Sequence, residues 1–196
     1  RLLGNNIGYG AQQAFLGYQS YILDPLTQNP SEQIYVSNIF SSQYRHDLDF
    51  SNNGYHRKTS FNFSALYKKK LHLGVNVNQH KIEFSNNQDF FESEQDLNSY
   101  IYDVNFKNNL ITLGDGLSIQ FGAILRLNKI RLGVTYSSPK WFELYDESTQ
   151  SISTFRFEEG FAINEIINPN ITNSYSSYQL KIPSKSSLSI GYIFNK

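Results

Sequence analysis

The sequence has 196 residues, without cysteine or methionine, and its 17 basic and 17 acidic side chains give a formal net charge of zero. This balance indicates no nucleic-acid partner, and the lack of cysteine excludes disulfides and thiolate metal sites. No apolar run approaches the roughly 18 residues of a transmembrane helix, whereas the 15% of aromatic residues favours β-structure.

Apolar residues recur at helical spacing near the N-terminus, in "GYGAQQAFLGYQSYILDP" (residues 8–25). Phe15, Tyr18 and Ile22 share one side of such a helix, and Asp24 and Pro25 follow it as stop signals. The sequence predicts a loop over residues 1–30 that contains one short amphipathic helix.

From residue 31 onward the apolar period changes from 3.6 to 2, which predicts strands. Two such segments, 55–69 and 71–84, meet at three lysines and predict a hairpin. Another hairpin is expected where 117–127 turns through "LNK" into 130–137. Further strands are expected at 100–106 and 188–194, and weaker ones at 33–50, 150–161 and 174–182.

The connections alternate between short and long, which is typical of an up-and-down outer-membrane barrel. The short ones are "KKK" and "LNK", and the long ones are "SNNQDFFESEQD" and "FEEGFAINEIINPNITNS". A soluble β-sandwich also alternates apolar and polar residues, but its strands are shorter. We predict an all-β, antiparallel transmembrane β-barrel over 31–196, within a single domain of residues 1–196.

The stretch "RLGVTYSSPKWFELYDE" (131–147) begins with the apolar and polar alternation of a strand, and this alternation stops at Pro139. The even positions from Ile130 to Tyr136 are expected to face lipid. Pro139–Glu147 is expected to begin a loop where the chain leaves the bilayer. Trp141 and Phe142 are then interpreted as an interfacial anchor, or as part of a surface that meets ligand.

Four segments carry a family resemblance: "GYGAQQAFLGYQSYILDP", "TSFNFSALYKKKLHLGVNVNQHKIEFS", "LSIQFGAILRLNKIRLGVTYSSPKWFELYDE" and "NSYSSYQLKIPSKSSLSIGYIFNK". Together they resemble the central part of the long-chain fatty-acid transporter family (FadL/TodX type), Bacteroidetes branch. The resemblance implies a monomeric barrel of about fourteen strands in the bacterial outer membrane, in contact with lipid. Because only about eight strands are recognisable here, we expect the remainder of the barrel to be missing from this chain.

Transport of hydrophobic small molecules such as long-chain fatty acids needs a capture surface and a pathway, without catalysis or a cofactor. The candidate capture residues are apolar side chains in the N-terminal helix and in a polar loop: Phe15, Tyr18, Tyr21, Ile22, Phe90 and Phe91. Packing of the loops onto one another is the structural alternative. Candidate lumen residues are His72, Arg126 and Arg131, where the arginines meet a ligand carboxylate or pair with an acid such as Asp103.

Two other functions are alternatives to transport. An enzyme is disfavoured, because the four histidines belong to no G-x-S-x-G motif and have no zinc-like spacing, although His72 and a lumen serine could meet in space. The alternative to transport is an outer-membrane barrel that acts as a docking or secretion-system partner for other proteins. The polar loops would then be the docking surfaces.

Overall fold

The computed structural model describes residues 9–27, 34–40, 43–94 and 99–194. The predicted helix is confirmed as α1 (Tyr9–Gln19), and the remaining elements are strands. They are β1 (Leu23–Pro25), β2 (Tyr35–Ser37), β3 (Tyr44–Tyr67), β4 (Leu71–Glu94), β5 (Ile101–Leu127), β6 (Ile130–Ser137), β7 (Lys140–Glu158), β8 (Phe161–Ile167), β9 (Thr172–Ser174), β10 (Tyr178–Ile182) and β11 (Lys185–Tyr192).

Every strand pairing whose register is resolved is antiparallel, so the predicted all-β, antiparallel class is confirmed. Among the described residues there are eleven strands where about eight were predicted, and β8, β9 and β10 lie one after another along the same edge of β7. Three predicted segments lie partly outside the described residues. These parts are 1–8 and 28–30 of the predicted loop at 1–30, 33 and 41–42 of the predicted strand at 33–50, and 95–96 of the predicted loop "SNNQDFFESEQD".

The chain divides into two compact units, and β3, β4, β5 and β7 contribute residues to both. The first unit comprises the described residues of Arg1–Asn53, Ser85–Leu110 and Glu147–Ser174, and the second comprises those of Gly54–Phe84, Ile111–Asp146 and Tyr175–Lys196. No change of composition marks these boundaries in the sequence, because strand pattern continues through most of them.

In the second unit, β3, β4 and β5 are neighbours in that order, and β6 and β7 both run beside β5. The two predicted hairpins are confirmed. Lys68 and Lys69 have φ of 46° and 56°, as a type I′ turn requires, and Lys70 N donates to Tyr67 O at 3.1 Å. Leu127 pairs directly with Ile130, so the second turn has two residues.

A β-bulge separates β6 from β7. The backbone N–H of Ser138 donates to Ile119 O at 2.8 Å, and the backbone N–H of Ile119 donates to Ser138 Oγ at 2.9 Å. The register of β5 with β6 would place Trp141 opposite Gly116, but the Cβ direction of Gly116 meets the Phe142 ring instead. The extra residue therefore reverses which side chains of β7 point to each face of the sheet.

The first unit contains the hydrophobic core. Leu16 of α1 is buried against Ile101, Val104 and Ile152, and Ile22 packs at its margin. The helix ends where Ser20 N donates to Leu16 O at 3.0 Å and Tyr21 adopts a φ of 61°. Burial of a leucine side chain of this kind contributes about 1.5–3 kcal/mol, which fixes α1 on the sheet.

Three predicted loops are wrong, because the strands extend through them. Phe90 and Phe91 lie in β4, which continues to Glu94. Pro139–Glu147 lies almost entirely in β7. The region after Phe157 contains β8 and β9, which pair with β7. Polar side chains suggested loops here, but backbone pairing with a neighbouring strand does not require apolar side chains.

Close approach of β7 leaves no space for a side chain at Gly116. A Cβ atom there would lie 2.7 Å from Trp141 O and 2.5 Å from the Phe142 ring, whereas at Gly122 on the same face the nearest atom would be 3.9 Å away. We expect Gly116→Ala to lower the free energy of unfolding by about 1–3 kcal/mol through overpacking. Urea unfolding followed by circular dichroism measures this change.

Gly122→Ala is the matched control, with an expected change of less than about 0.5 kcal/mol. Equal effects of the two substitutions would contradict the close approach of β7 to Gly116.

Candidate functional site

The second unit has exposed apolar side chains and buried polar ones. Along β5, Leu117 is 58% exposed and its neighbour Ser118 is 3% exposed. Ile119 and Phe121 are also exposed, in phase with Leu117. Because successive side chains of a strand point to opposite faces, one face of this sheet is apolar and open and the other is polar and enclosed. A water-soluble sheet has the opposite arrangement.

The apolar face extends across five strands of the second unit. Its exposed members are Phe61, Phe63, Leu73, Val77, Leu117, Ile119, Phe121, Leu132, Val134, Tyr136, Leu188 and Ile190. The members from β5, β6 and β11 share a face because Val134 pairs with both Ala123 and Leu188. Hydrogen bonds of Asn62 with Asn76 and of Asn78 with Ser118 join the even positions of β3, β4 and β5 on the other face, so their odd positions also share the apolar one. A depression of about 560 Å³ on this face is lined almost wholly by aliphatic side chains. The surface is therefore suited to apolar surroundings.

The polar face is joined by hydrogen bonds between side chains. Ser60 Oγ donates to Asn78 Oδ1 at 2.7 Å, and Asn78 Nδ2 donates to Ser118 Oγ at 3.3 Å. The histidine rings continue the row, with 2.8 Å between His80 Nε2 and Ser118 Oγ and 2.9 Å between His80 Nδ1 and His56 Nε2. Each satisfied bond of this kind contributes about 1 kcal/mol net.

This row has the order of a serine–histidine relay, but its geometry does not present a nucleophile. Ser118 and His80 are both buried, and the Ser118 oxygen is engaged by Asn78 and His80 together. A nucleophile must reach a substrate carbonyl next to oxyanion-stabilising donors. The row is best described as a hydrogen-bond ladder that holds the enclosed face together.

The three predicted lumen residues lie on the polar face. Arg126 and Arg131 are direct cross-strand partners, and His72 has the same phase along β4 as Asn78. Arg131 donates to the carbonyl oxygens of Asn128 and Ile130 at 2.8 and 3.1 Å. Among the described residues no carboxylate lies within 4 Å of either guanidinium, so the pairing considered with Asp103 is not formed.

Trp141 and Phe142 lie on opposite faces, which corrects their joint assignment as an interfacial anchor. Trp141 is 48% exposed, whereas Phe142 is 3% exposed and packs against the rings of His80 and His56 at 5.4 and 6.0 Å. The bulge before β7 is the physical reason, since continued alternation from Tyr136 would have pointed Phe142 outward. Trp141 alone remains a candidate anchor.

The candidate capture residues of the helical region have separate surroundings in the first unit. Phe15 lines a cavity of about 20 Å³ with Pro169 and Ile171. The Tyr18 ring meets Tyr35 edge-on at 6.2 Å. Ile22 packs against the core. These are the contacts expected if the residues pack the loops onto one another. A role of these residues in ligand capture stays a prediction.

Phe90 and Phe91 are successive residues of a strand and therefore point to opposite faces. The Phe90 ring contacts the His46 ring at 5.4 Å. The two side chains cannot form one apolar patch, contrary to their treatment as a pair.

Tyr21 covers a buried cation that the sequence did not reveal. The Arg156 guanidinium lies 4.2 Å from the centre of the Tyr21 ring, and its Nη1 donates to Glu165 at 2.8 Å. Burial alone would lower the pKa of Arg156, but the hydrogen bond and charge of Glu165 outweigh it and the pKa is raised. The Arg156 guanidinium therefore stays charged, and its hydrogen bond to Glu165 ties β7 to β8.

The contact between His56 and His80 is also absent from the sequence-based predictions. A usable signal existed, because His80 shares the phase of His72 and Asn78 along β4. His56 and Ser118 reach His80 only through the registers of β3 and β5 with β4. The pattern within one strand does not specify those registers.

No family model and no curated protein matches the chain. The family resemblance therefore stays a prediction. No helix among the described residues has the length and apolar character needed to cross a membrane. Within residues 9–27, 34–40, 43–94 and 99–194, no three histidine or acidic side chains cluster as metal ligands.

The opposite surroundings of Trp141 and Phe142 predict opposite mutational effects. Phe142→Ala removes a buried ring and is expected to lower the free energy of unfolding by about 3 kcal/mol. Trp141→Ala removes an exposed ring and is expected to change it by less than about 0.5 kcal/mol in detergent solution. Urea unfolding of both variants tests this difference, and a larger loss for Trp141→Ala would contradict the reversal of faces by the bulge.

Proposed function

We propose that the chain forms the wall of an outer-membrane β-barrel, a channel for uptake of hydrophobic small molecules such as long-chain fatty acids. The observation that supports a membrane wall is the exposed apolar face of the second unit opposite its enclosed polar face. Barrel strands in membranes alternate apolar residues toward lipid with polar residues toward the interior. The transport function rests on the family resemblance.

The energetic argument favours lipid over water around the apolar face. Each exposed Leu, Ile or Phe gains on the order of 1 kcal/mol when its free surface leaves water. For the twelve residues of the apolar face the total is on the order of 10 kcal/mol, which equals the whole stability of a typical domain, about 5–15 kcal/mol. Exposure to water on this scale would be a severe cost, and lipid removes it.

The strand lengths in the second unit are compatible with a crossing. About 9–11 residues of a tilted strand span the hydrocarbon layer, and residues 54–67 of β3 and 71–84 of β4 each exceed this length. Tyr67 and Tyr136 are exposed aromatic residues near the ends of β3 and β6, where aromatic girdles of membrane barrels lie.

The arginine pair supports an anionic group on the ligand. Like charges placed directly opposite each other on neighbouring strands repel, and Arg126 and Arg131 have no carboxylate partner in the described part of the chain. A ligand carboxylate between them would relieve this repulsion and accept charge-assisted hydrogen bonds. A long-chain fatty acid combines such a carboxylate with an apolar chain.

Trp141 tests the membrane location directly, because it is the only tryptophan in the sequence. In vesicles we expect its fluorescence to be quenched by phospholipids brominated in the upper acyl chain, and less by those brominated near the terminal methyl group. As a control, Phe142→Trp in a Trp141→Phe background places the indole on the polar face, and its quenching by lipid should be weak. Quenching of Trp141 by aqueous acrylamide but not by brominated lipid would overturn the proposal.

The ligand carboxylate is tested by the double variant Arg126→Gln/Arg131→Gln. Charge-assisted hydrogen bonds contribute about 1.5–3 kcal/mol, so we expect oleate to bind at least about tenfold more weakly, with binding of oleyl alcohol unchanged. Calorimetry in detergent and uptake of labelled oleate by cells measure the two steps. Lys129→Gln, in the turn between β5 and β6, is the matched control.

Equal loss of oleate and oleyl alcohol would remove the carboxylate contact from the proposal. Lipid quenching of Trp141 together with no binding of either ligand would favour the docking function over transport.

A further inference from the structure

The charged side chains of the second unit are distributed unequally between the two faces of its sheet. In the strands, the polar face has five cations and one carboxylate, namely Lys58, Arg126, Arg131, Lys140 and Lys185 against Asp146. The opposite face has three of each sign, namely Arg57, Lys81 and Lys181 against Glu83, Asp115 and Glu143. The excess of positive charge is therefore on the polar face.

Two of the five cations come from β3 and β7 toward the same histidine. Lys58 has the phase of Ser60 on β3, which belongs to the hydrogen-bond ladder. Lys140 has the phase of Phe142 on β7, and the Phe142 ring packs against His80. The charges of both lysines act on His80. Both therefore lie on the polar face and close to the ladder.

Strand pairing places the other three cations on the same face. Lys185 pairs with Ser137, whose hydroxyl oxygen accepts a hydrogen bond from Gln120 at 3.1 Å. Arg126 and Arg131 pair with each other beside the turn between β5 and β6. Six residues of β5 separate Gln120 from Arg126, which is about 20 Å at about 3.3 Å per residue. The arginine pair is thus well separated from the lysines along the strands.

None of the five cations is neutralised by an acidic side chain in the described part of the chain, since no carboxylate lies within 4 Å of their nitrogen atoms. Asp146 accepts hydrogen bonds from Thr112 at 2.6 Å and from Tyr178 at 3.4 Å instead. Three of the cations are exposed, namely Lys58, Lys185 and Arg126. Their charges are therefore open to a ligand.

A depression of about 430 Å³ lies on the polar face between the lysines and the arginine pair. Its hydroxyl groups come from Thr135, Ser187 and Ser189. A Cβ atom at Gly74 or Gly122 would have no atom nearer than 3.9 Å, so the depression is open above these glycines. Liquid water occupies about 30 Å³ per molecule, which leaves room here for an anion with its hydration shell.

We propose that the polar face of the second unit attracts small hydrophilic anions, such as chloride and phosphate, and passes them along the barrel wall. Lysine and arginine side chains that line a pore select anions. A cleft lined by one sign of charge also raises the local concentration of counter-ions, with on-rates about tenfold higher or more. The proposal rests on the barrel wall proposed above, but not on transport of hydrophobic molecules.

The chain has no cysteine, so one introduced thiol reports the electrostatic potential at its own position. Ser187→Cys places this thiol in the depression. The reagents are two methanethiosulfonates of similar size, one with a sulfonate group and one with a trimethylammonium group. In detergent at low ionic strength we expect the sulfonate reagent to be favoured at least about fivefold, relative to the rate ratio for free mercaptoethanol. The preference should fall in about 1 M salt, where the Debye length is about 3 Å.

Lys140→Gln/Lys185→Gln is expected to reduce this preference at least about twofold, because it removes two positive charges from the polar face. Lys81→Gln/Lys181→Gln is the matched control, since it removes two positive charges from the opposite face and should leave the preference unchanged. Circular dichroism shows whether each variant folds. Ser186 pairs with Tyr136 on the apolar face, so Ser186→Cys should react slowly with both reagents because detergent covers it. Rapid reaction there would contradict the barrel wall itself.

Passage is measured in planar lipid bilayers under a gradient of potassium chloride. The reversal potential gives the permeability ratio of chloride to potassium, which we expect to be at least about threefold and to approach one in Lys140→Gln/Lys185→Gln. The proposal would be overturned by no reaction or no anion preference at Ser187→Cys, by equal effects of the two double variants, or by a current that is absent or cation-selective. Slow reaction at Ser186→Cys together with any of these results would leave the barrel wall standing.

Discussion

The hydrogen-bond ladder on the enclosed face is the constraint on which the second unit depends. A buried polar group without a partner costs about 1–3 kcal/mol, and the face contains Asn78, His80 and Ser118 in close succession. Each of them is engaged by a side chain from a neighbouring strand. A shift of β4 by one residue would exchange the two faces and leave these groups among the exposed apolar side chains. The ladder therefore determines register as well as stability.

The bulge at Ser138 has an effect that extends beyond the local hydrogen bonds. It allows one long path, β6 followed by β7, to present Leu132 and Val134 outward before it and Trp141 outward after it. On the other side, β10 pairs with β7 and β11 pairs with β6 in one continuous register. The break between β10 and β11, after Ile182, lies opposite the break between β6 and β7. Without the extra residue, Phe142 would leave its contact with the histidine rings and face outward with the apolar set.

The two units use the same antiparallel pairing for different surfaces. In the second unit the apolar side chains are exposed and the polar ones are joined to each other. In the first unit α1 brings Leu16 to an apolar core, while the same face of the sheet also contains a cluster of amides beside the helix. The ion pair between the buried Arg156 and the half-buried Glu165 adds a further fixed point. The difference between the units therefore lies in side-chain chemistry rather than in backbone architecture.

The sequence by itself determined the helix, the strand class, both tight hairpins and the apolar and polar faces, because local periodicity and turn residues report on single elements. It placed His72, Arg126 and Arg131 on one face correctly, for the same reason. Only the tertiary structure decided where long strands end, since polar segments such as residues 85–94 pair through their backbones whatever their side chains. It also decided the side of Phe142, which depends on one inserted residue, and the meeting of His56, His80 and Ser118. These contacts join three strands, and no pattern within one strand specifies the register of its neighbours.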